Sequence, residues 1–181
     1  MEILREIEER KSYRSFSEKA LSQEQIELLF EAARIAPSSS NEQAWKYYYA
    51  LKGSDQFEKL CECLAPANLI WAKDASILVV STAAKLQSNG KDYKHAWHDV
   101  GLANAQMLIQ AVHLGFFGHI MGGFSSEKAI GAARIPENQE PVCMIAFGNI
   151  GDGSDLSEKL QQLENSPRNR KPMEEVVLKL S

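Results

Sequence analysis

Cysteine is scarce: the chain has three, Cys61, Cys63 and Cys143. An odd number cannot form a complete disulfide framework, and one C-x-C pair without a second gives zinc little support. The thiols are expected to be reduced, as in a cytoplasmic protein. Long apolar runs are missing too; none approaches the roughly 18 residues of a membrane-spanning helix. The opening M-E-I-L-R-E-I-E-E-R-K has no apolar signal-peptide core and alternates charge like a soluble helix. Positive charge is not in excess, with 20 Lys and Arg against 24 Asp and Glu. A formal net charge of -4 argues against nucleic acid or an anionic membrane as partner. No internal repeat of useful length is present. What is there is 181 residues, 44% hydrophobic, enough for one domain with a substantial core and too few for two comfortable ones. The expectation is a single domain over 1–181.

The chain is organised around Ile35–Trp45, reading I-A-P-S-S-S-N-E-Q-A-W. Pro37 stops a helical pattern because it has no N–H and restricts the residue before it. Ser38, Ser39 and Ser40 can cap the chain locally, and Asn41 tolerates left-handed geometry. The segment then delivers the chain into Lys46–Leu51, an aromatic, β-prone run. A polar turn between helix and strand is where an α/β protein usually holds a ligand. An ordinary polar loop has the same composition.

Taken in order, Ile3, Leu4 and Ile7 share a face and predict a short helix over 2–10. It runs into Arg10-Lys11-Ser12-Tyr13-Arg14, where cations around a hydroxyl suit a phosphate or simply the end of a helix. Ser22 and Gln25 form a capping box, and Ile26, Leu29, Phe30 and Ala33 make one apolar stripe behind it. Helical patterns follow over 54–63 and around Pro66–Trp71. Ala75–Ala83 is a nearly continuous apolar run that fits a strand covered on both faces. Lys85–Lys94, with Asn89-Gly90, predicts an exposed and mobile loop. His95–Leu114 predicts a long helix, apolar on more than one face, for which a twofold partner is the economical explanation. His95 and His98 have no companion ligand in that stretch, so no metal is expected, and neighbouring His98 and Asp99 are not presumed a pair. Gly122-Gly123, after a strand-like run from Gly115, admits either a flat ligand close to the backbone or a tight turn into a Ser125–Ala132 helix. Pro141–Gly148 is another core strand. The tail has Arg168, Arg170 and Lys171, which suit a single phosphate or a disordered end, and then Val176, Val177 and Leu178 as an extended sticky patch.

These segments together resemble the flavin-dependent nitroreductase family. The pieces are R-K-S-Y-R-S-F near the start, P-S-S-S-N-E-Q-A-W, the helix H-D-V-G-L-A-N-A-Q-M-L, the turn M-G-G-F, and I-A-F-G-N-I-G with R-N-R-K-P-M-E-E-V-V. The resemblance implies an α+β fold, a mainly antiparallel sheet flanked by helices, in a homodimer with C-terminal strand exchange, the 165–181 tail docking on the partner subunit. It implies FMN as cofactor at the subunit interface, NADH or NADPH as electron donor, and a small planar electron acceptor. By position, Arg10, Lys11, Ser12 and Arg14 match an N-terminal FMN-binding segment, with Arg10 and Ser12 addressing the phosphate or ribityl chain and Arg14 the pyrimidine side. Ser38, Ser39 and Asn41 match residues near the flavin from the other subunit, and Gln43 lies at its edge. Gly122 and Gly123 match the backbone near the ring centre, and Arg168 and Arg170 a C-terminal phosphate clamp. No side-chain acid, base or nucleophile is implied. A specialised flavin-dependent oxidation or elimination, or a non-catalytic flavin-binding role, is the alternative. Ala44 stands where the family usually has proline, so the turn is expected to be less rigid. Lys11 replaces the usual arginine or histidine, keeping charge but losing planar donors. The chain is short, which leaves the pocket either open or roofed only by residues near Cys61–Trp71 and the 85–94 loop.

Overall fold

Local signals set most of the elements. Ser22 accepts the Gln25 N–H at 3.1 Å while the Gln25 side chain accepts the Ser22 N–H at 2.9 Å, closing the capping box in both directions. The computed structural model describes residues 2–180; Met1 and Ser181, the ends of the single-domain expectation, lie outside the described residues. In chain order the elements are α1 (Arg5–Glu9), α2 (Gln23–Arg34), β1 (Trp45–Leu51), α3 (Asp55–Cys61), α4 (Pro66–Ala72) and β2 (Ile77–Ala84). There follow α5 (Ala96–His113), β3 (Phe117–Met121), α6 (Ser126–Ala133), β4 (Gln139–Gly148), α7 (Glu158–Asn165) and α8 (Met173–Val176). Helix α2 ends at Arg34, ahead of Pro37, because the residues before proline already leave helical geometry. Helix α8 takes up Val176, so the extended part of the tail begins only at Val177.

The sheet is antiparallel throughout, in the order β1-β2-β4-β3. Alternation along the central strands sends side chains to two cores. Leu78, Val80, Met144 and Ala146 pack with α3, α4 and α6. Ile77, Val79, Ile145 and Phe147 pack with α2 and α5 on the other face. Burial on both sides is why β2 reads as an unbroken apolar run. Pro141, which cannot donate to a ladder, is accommodated where the β2–β4 register shifts between Ser81 and Thr82, leaving Val142 as the extra residue.

Helix α5 buries Val100, Ala103, Met107, Leu108 and Ala111 against the sheet. It leaves Trp97 and Leu102 exposed beside Gly101 and Ala105. Gly118 lets β3 approach that layer. A Cβ there would lie 2.3 Å from the Phe147 ring and 2.6 Å from Leu108. Gly118→Ala is therefore expected to cost about 1–3 kcal/mol by overpacking, measurable as a lower denaturation midpoint.

Candidate functional site

Three groups of polar or glycine positions stand out, each built by a different part of the fold. The first is the loop from Ser38 to Gln43. Ser40, Asn41 and Gln43 all have left-handed backbones, with φ of 53°, 57° and 52°. Such geometry costs on the order of 1 kcal/mol for residues other than glycine, less for asparagine. A mesh of hydrogen bonds holds it. The Gln43 N–H donates to Ser38 Oγ at 3.0 Å, and the Gln43 amide donates to the Asn41 carbonyl at 3.0 Å. The Ser39 N–H donates to Asp99 Oδ2 at 2.9 Å. Ser88, in the 85–94 loop, donates its N–H and hydroxyl to the Glu42 carboxylate, both at 2.9 Å. These bonds fasten the turn in place of the proline that Ala44 lacks, and Ala44 itself is buried. The side chains of Asn41 and Gln43 remain exposed, and Ser38 and Ser39 are half-buried.

The second group joins the two ends of the polypeptide. Arg168 Nη1 donates to the carbonyls of Ile7 at 3.0 Å and Arg10 at 2.9 Å. Arg10 Nη1 reaches Ser12 Oγ at 3.4 Å. Burial, followed by the neighbouring charges of Arg168 and Arg170, pushes the Arg10 guanidinium below its ordinary value. Among the described residues no carboxylate pairs with any of these three arginines. Cations gathered without a counter-charge suit a phosphate. Lys11 and Arg14 are arranged otherwise. Lys11 Nζ donates to the Glu164 carbonyl near the end of α7. The Glu164 carboxylate accepts the Arg14 N–H at 2.9 Å and lies 3.8 Å from the Arg14 guanidinium.

The third group is the turn after β3. The Gly123 carbonyl accepts the Ala65 N–H and the Asn68 side-chain amide, each at 3.0 Å. A Cβ on Gly123 would meet that amide at 2.9 Å, whereas one on Gly122 would meet nothing within 4 Å. Gly122 thus offers bare, exposed backbone over open space, and the Cys61–Trp71 segment packs beside it through Leu64 and Phe124. Strand β3 runs from this turn back to the N-terminal segment: the Tyr13 and Phe117 rings meet edge-on at 4.7 Å, and His119 Nδ1 donates to the Tyr13 carbonyl at 3.0 Å.

His119 also lies against Trp71, ring centroids 4.5 Å apart. Burial pushes its pKa down to about 4 from 6.5, against the pull of the Tyr13 carbonyl, with Arg14 and Arg10 adding to the fall. The folded protein therefore holds this imidazole neutral, whereas the unfolded chain protonates it below 6.5. Stability should fall as pH drops from 6.5 toward 4 and level off below, by at most about 3 kcal/mol. Denaturant titrations across that window should show the slope in the parent and its loss in His119→Gln.

The loop flanks β1 and the glycine turn flanks β3, at opposite edges of the sheet. Three ladder spacings separate those strands, roughly 14 Å. One chain therefore carries Gly122 and Gly123 at the end of the strand that Tyr13, between Ser12 and Arg14, packs against, and holds Ser38, Ser39, Asn41 and Gln43 beyond the opposite edge. Tyr93, Asn68, His119 and Glu164 carry no signal in the sequence, and Asp99 stands out there only as the neighbour of His98. His98 and Asp99 do touch, Nδ1 to Oδ1 at 3.0 Å, although consecutive helical residues normally diverge. The buried thiols take no part: desolvation raises both Cys61 and Cys143 to about 11.

The profile of the Nitroreductase family matches residues 7–76 and 59–149. An Archaeoglobus fulgidus protein with the provisional name NADH dehydrogenase/NAD(P)H nitroreductase is 30% identical over 162 residues, covering 87% of this chain and 90% of its own. A crystal structure described as an oxidoreductase containing FMN superposes with a TM-score of 0.93 at 29% identity, over 98% of this chain and 91% of that one. A nitroreductase-like protein from Desulfovibrio desulfuricans, solved in complex with FMN, shares the fold at a TM-score of 0.77 and 19% identity, covering 98% and 96% of the two chains. On the strength of the matched profile and the full-length relative, this chain belongs to the nitroreductase family.

Proposed function

We propose that the protein is an FMN-dependent oxidoreductase that takes hydride from NADH or NADPH and delivers it to a small planar electron-poor acceptor, such as a nitroaromatic or a quinone. The observation that carries this reading is the meeting of Arg10, Arg168 and Arg170 without a carboxylate among the described residues, with neighbouring Tyr13 packed on the strand β3 that leads to open backbone at Gly122. Arg10, Ser12, Arg168 and Arg170 would hold the phosphate and ribityl oxygens, and Gly122 and Gly123 would lie against the ring. Lys11 and Arg14, tied to Glu164, would brace the wall of the site and supply positive potential. Bound FMN would supply the hydride exchange itself, so no side-chain acid, base or nucleophile is assigned.

Ser38, Ser39, Asn41 and Gln43 would reach the pyrimidine side from a second copy, since one chain sets them at the far edge of its own sheet. Donors there would stabilise negative charge as the ring is reduced. Three features favour that homodimer. The outward face of α5 exposes Trp97 and Leu102, and the tail exposes Val177, Leu178 and Leu180. A groove of about 650 Å³, lined by Ile26, Phe30, Trp45, Tyr47 and Tyr49, runs beside edge strand β1. The partner's tail, added there as a strand, would cover both the groove and the unpaired edge. No helix among the described residues is long and apolar enough to cross a membrane, and a freely diffusing acceptor fits this reading.

Anaerobic mixing of FMN-loaded protein with NADH or NADPH should bleach the flavin band, and a quinone added afterwards should restore it. A flavin band that neither nucleotide bleaches would sink the nicotinamide half of the proposal.

A further inference from the structure

We infer that Asp99 is a positioning residue for the flavin: its buried carboxylate fixes the Ser38–Gln43 loop in the left-handed shape that presents Ser38, Ser39 and Asn41 to the ring. This rests on the FMN reading above and extends it to a residue outside the binding segments.

Asp99 sits in the first turn of α5 with only 1% of its surface exposed. An acid so placed usually serves its own helix, through the dipole and the free N–H groups. Here the carboxylate is directed elsewhere. Oδ2 accepts the Ser39 N–H at 2.9 Å and the Tyr93 hydroxyl at 2.5 Å, and Oδ1 lies 3.0 Å from His98 Nδ1. The Tyr93 hydroxyl is also 3.3 Å from the Ser39 carbonyl, so the two side chains bracket the backbone of one loop residue, Ser39. Although burial opposes ionisation, hydrogen bonds from Tyr93, His98 and the Ser39 N–H more than offset it and hold the acid below its ordinary value. A buried anion whose two oxygens are both engaged by donors is a rigid anchor. The strained residues Ser40, Asn41 and Gln43 follow at once, and their other restraints are neutral bonds within the loop or exposed contacts at Glu42. Asp99 is thus the buried charge that joins the loop to the sheet-packed helix. It also joins the 85–94 loop to both, through Tyr93.

Two variants test this. Asp99→Asn keeps the shape but cannot accept from every donor, and Tyr93→Phe removes a single hydroxyl. In the ligand-free protein both should speed amide exchange over residues 38–43. FMN titration should give a dissociation constant raised about tenfold or more for Asp99→Asn and about threefold for Tyr93→Phe, the scale of a lost charge-assisted bond. At saturating FMN the midpoint potential of the bound flavin should become more negative, because Asn41 no longer supports the reduced ring. Faster exchange with unchanged affinity and potential would overturn the inference, making Asp99 a structural brace only. Unchanged exchange would overturn it at its root. Failure of the parent protein to take up FMN would remove the flavin reading and the role of Asp99 in it, while the exchange measurement would separately report whether the brace exists.

Discussion

Changing Arg168 and Arg170 together to alanine is expected to weaken FMN binding about 100-fold, read as quenching of flavin fluorescence during titration. Each arginine offers the phosphate a charge-assisted bond worth about 1.5–3 kcal/mol, toward the low end for exposed side chains. Stability of the ligand-free protein should change little. The pair contributes three bonds to backbone carbonyls, two from Arg168 across the fold and one from Arg170 to its own neighbour Asn169, but its charges also disfavour the Arg10 cation. Loss of the exposed charges should flatten the salt dependence of flavin binding as well. Unchanged affinity would remove the tail from the site and leave Arg10 without its partners.

Gly122→Val should do something quite different from Gly118→Ala. Gly122 is exposed, has no positive φ, and a side chain there meets nothing within 4 Å in the protein itself. Stability without ligand should therefore shift by no more than about 0.5 kcal/mol. If a flat ring lies on that backbone, the added methyl groups occupy its place, and FMN affinity should fall by about 100-fold or more. Gly118→Ala meets Phe147 and Leu108 and should destabilise the fold. A Gly122→Val protein that binds FMN normally would move the ring away from the turn.

Much of this was legible in the sequence because local physics decided it. The Ser22–Gln25 box, the apolar run of β2 and the stop ahead of Pro37 each depend on neighbours in the chain, and each marks an element close to its observed bounds. The surplus apolar surface of α5 was legible too, since one sheet cannot cover every apolar position of so long a helix. Helix α7 was not, because E-K-L-Q-Q-L-E-N offers Leu160 and Leu163 alone as apolar anchors and buries no residue fully. It is fastened through Glu164 to backbone N–H groups some 150 positions away, a relation no local pattern carries. The tie between Asp99 and the loop was hidden for the same reason, its partners lying 60 residues off at Ser39 and six off at Tyr93. The 85–94 stretch reads as an exposed loop and is mostly exposed, yet Tyr93 is buried and Ser88 ties the tip to Glu42. Among the site residues, the basic character of both chain ends was plain, whereas the division between Arg10, turned toward the tail, and Lys11 and Arg14, turned toward α7, required the fold.

Purified protein should be scanned near 450 nm, weighed by light scattering, and then denatured so that any released flavin is identified by mass. A yellow dimer releasing one FMN per chain is the expected result. A colourless protein that stays so after incubation with FMN, or a monomer that binds it fully, would contradict a ring held between two copies by arginines from both ends of the chain.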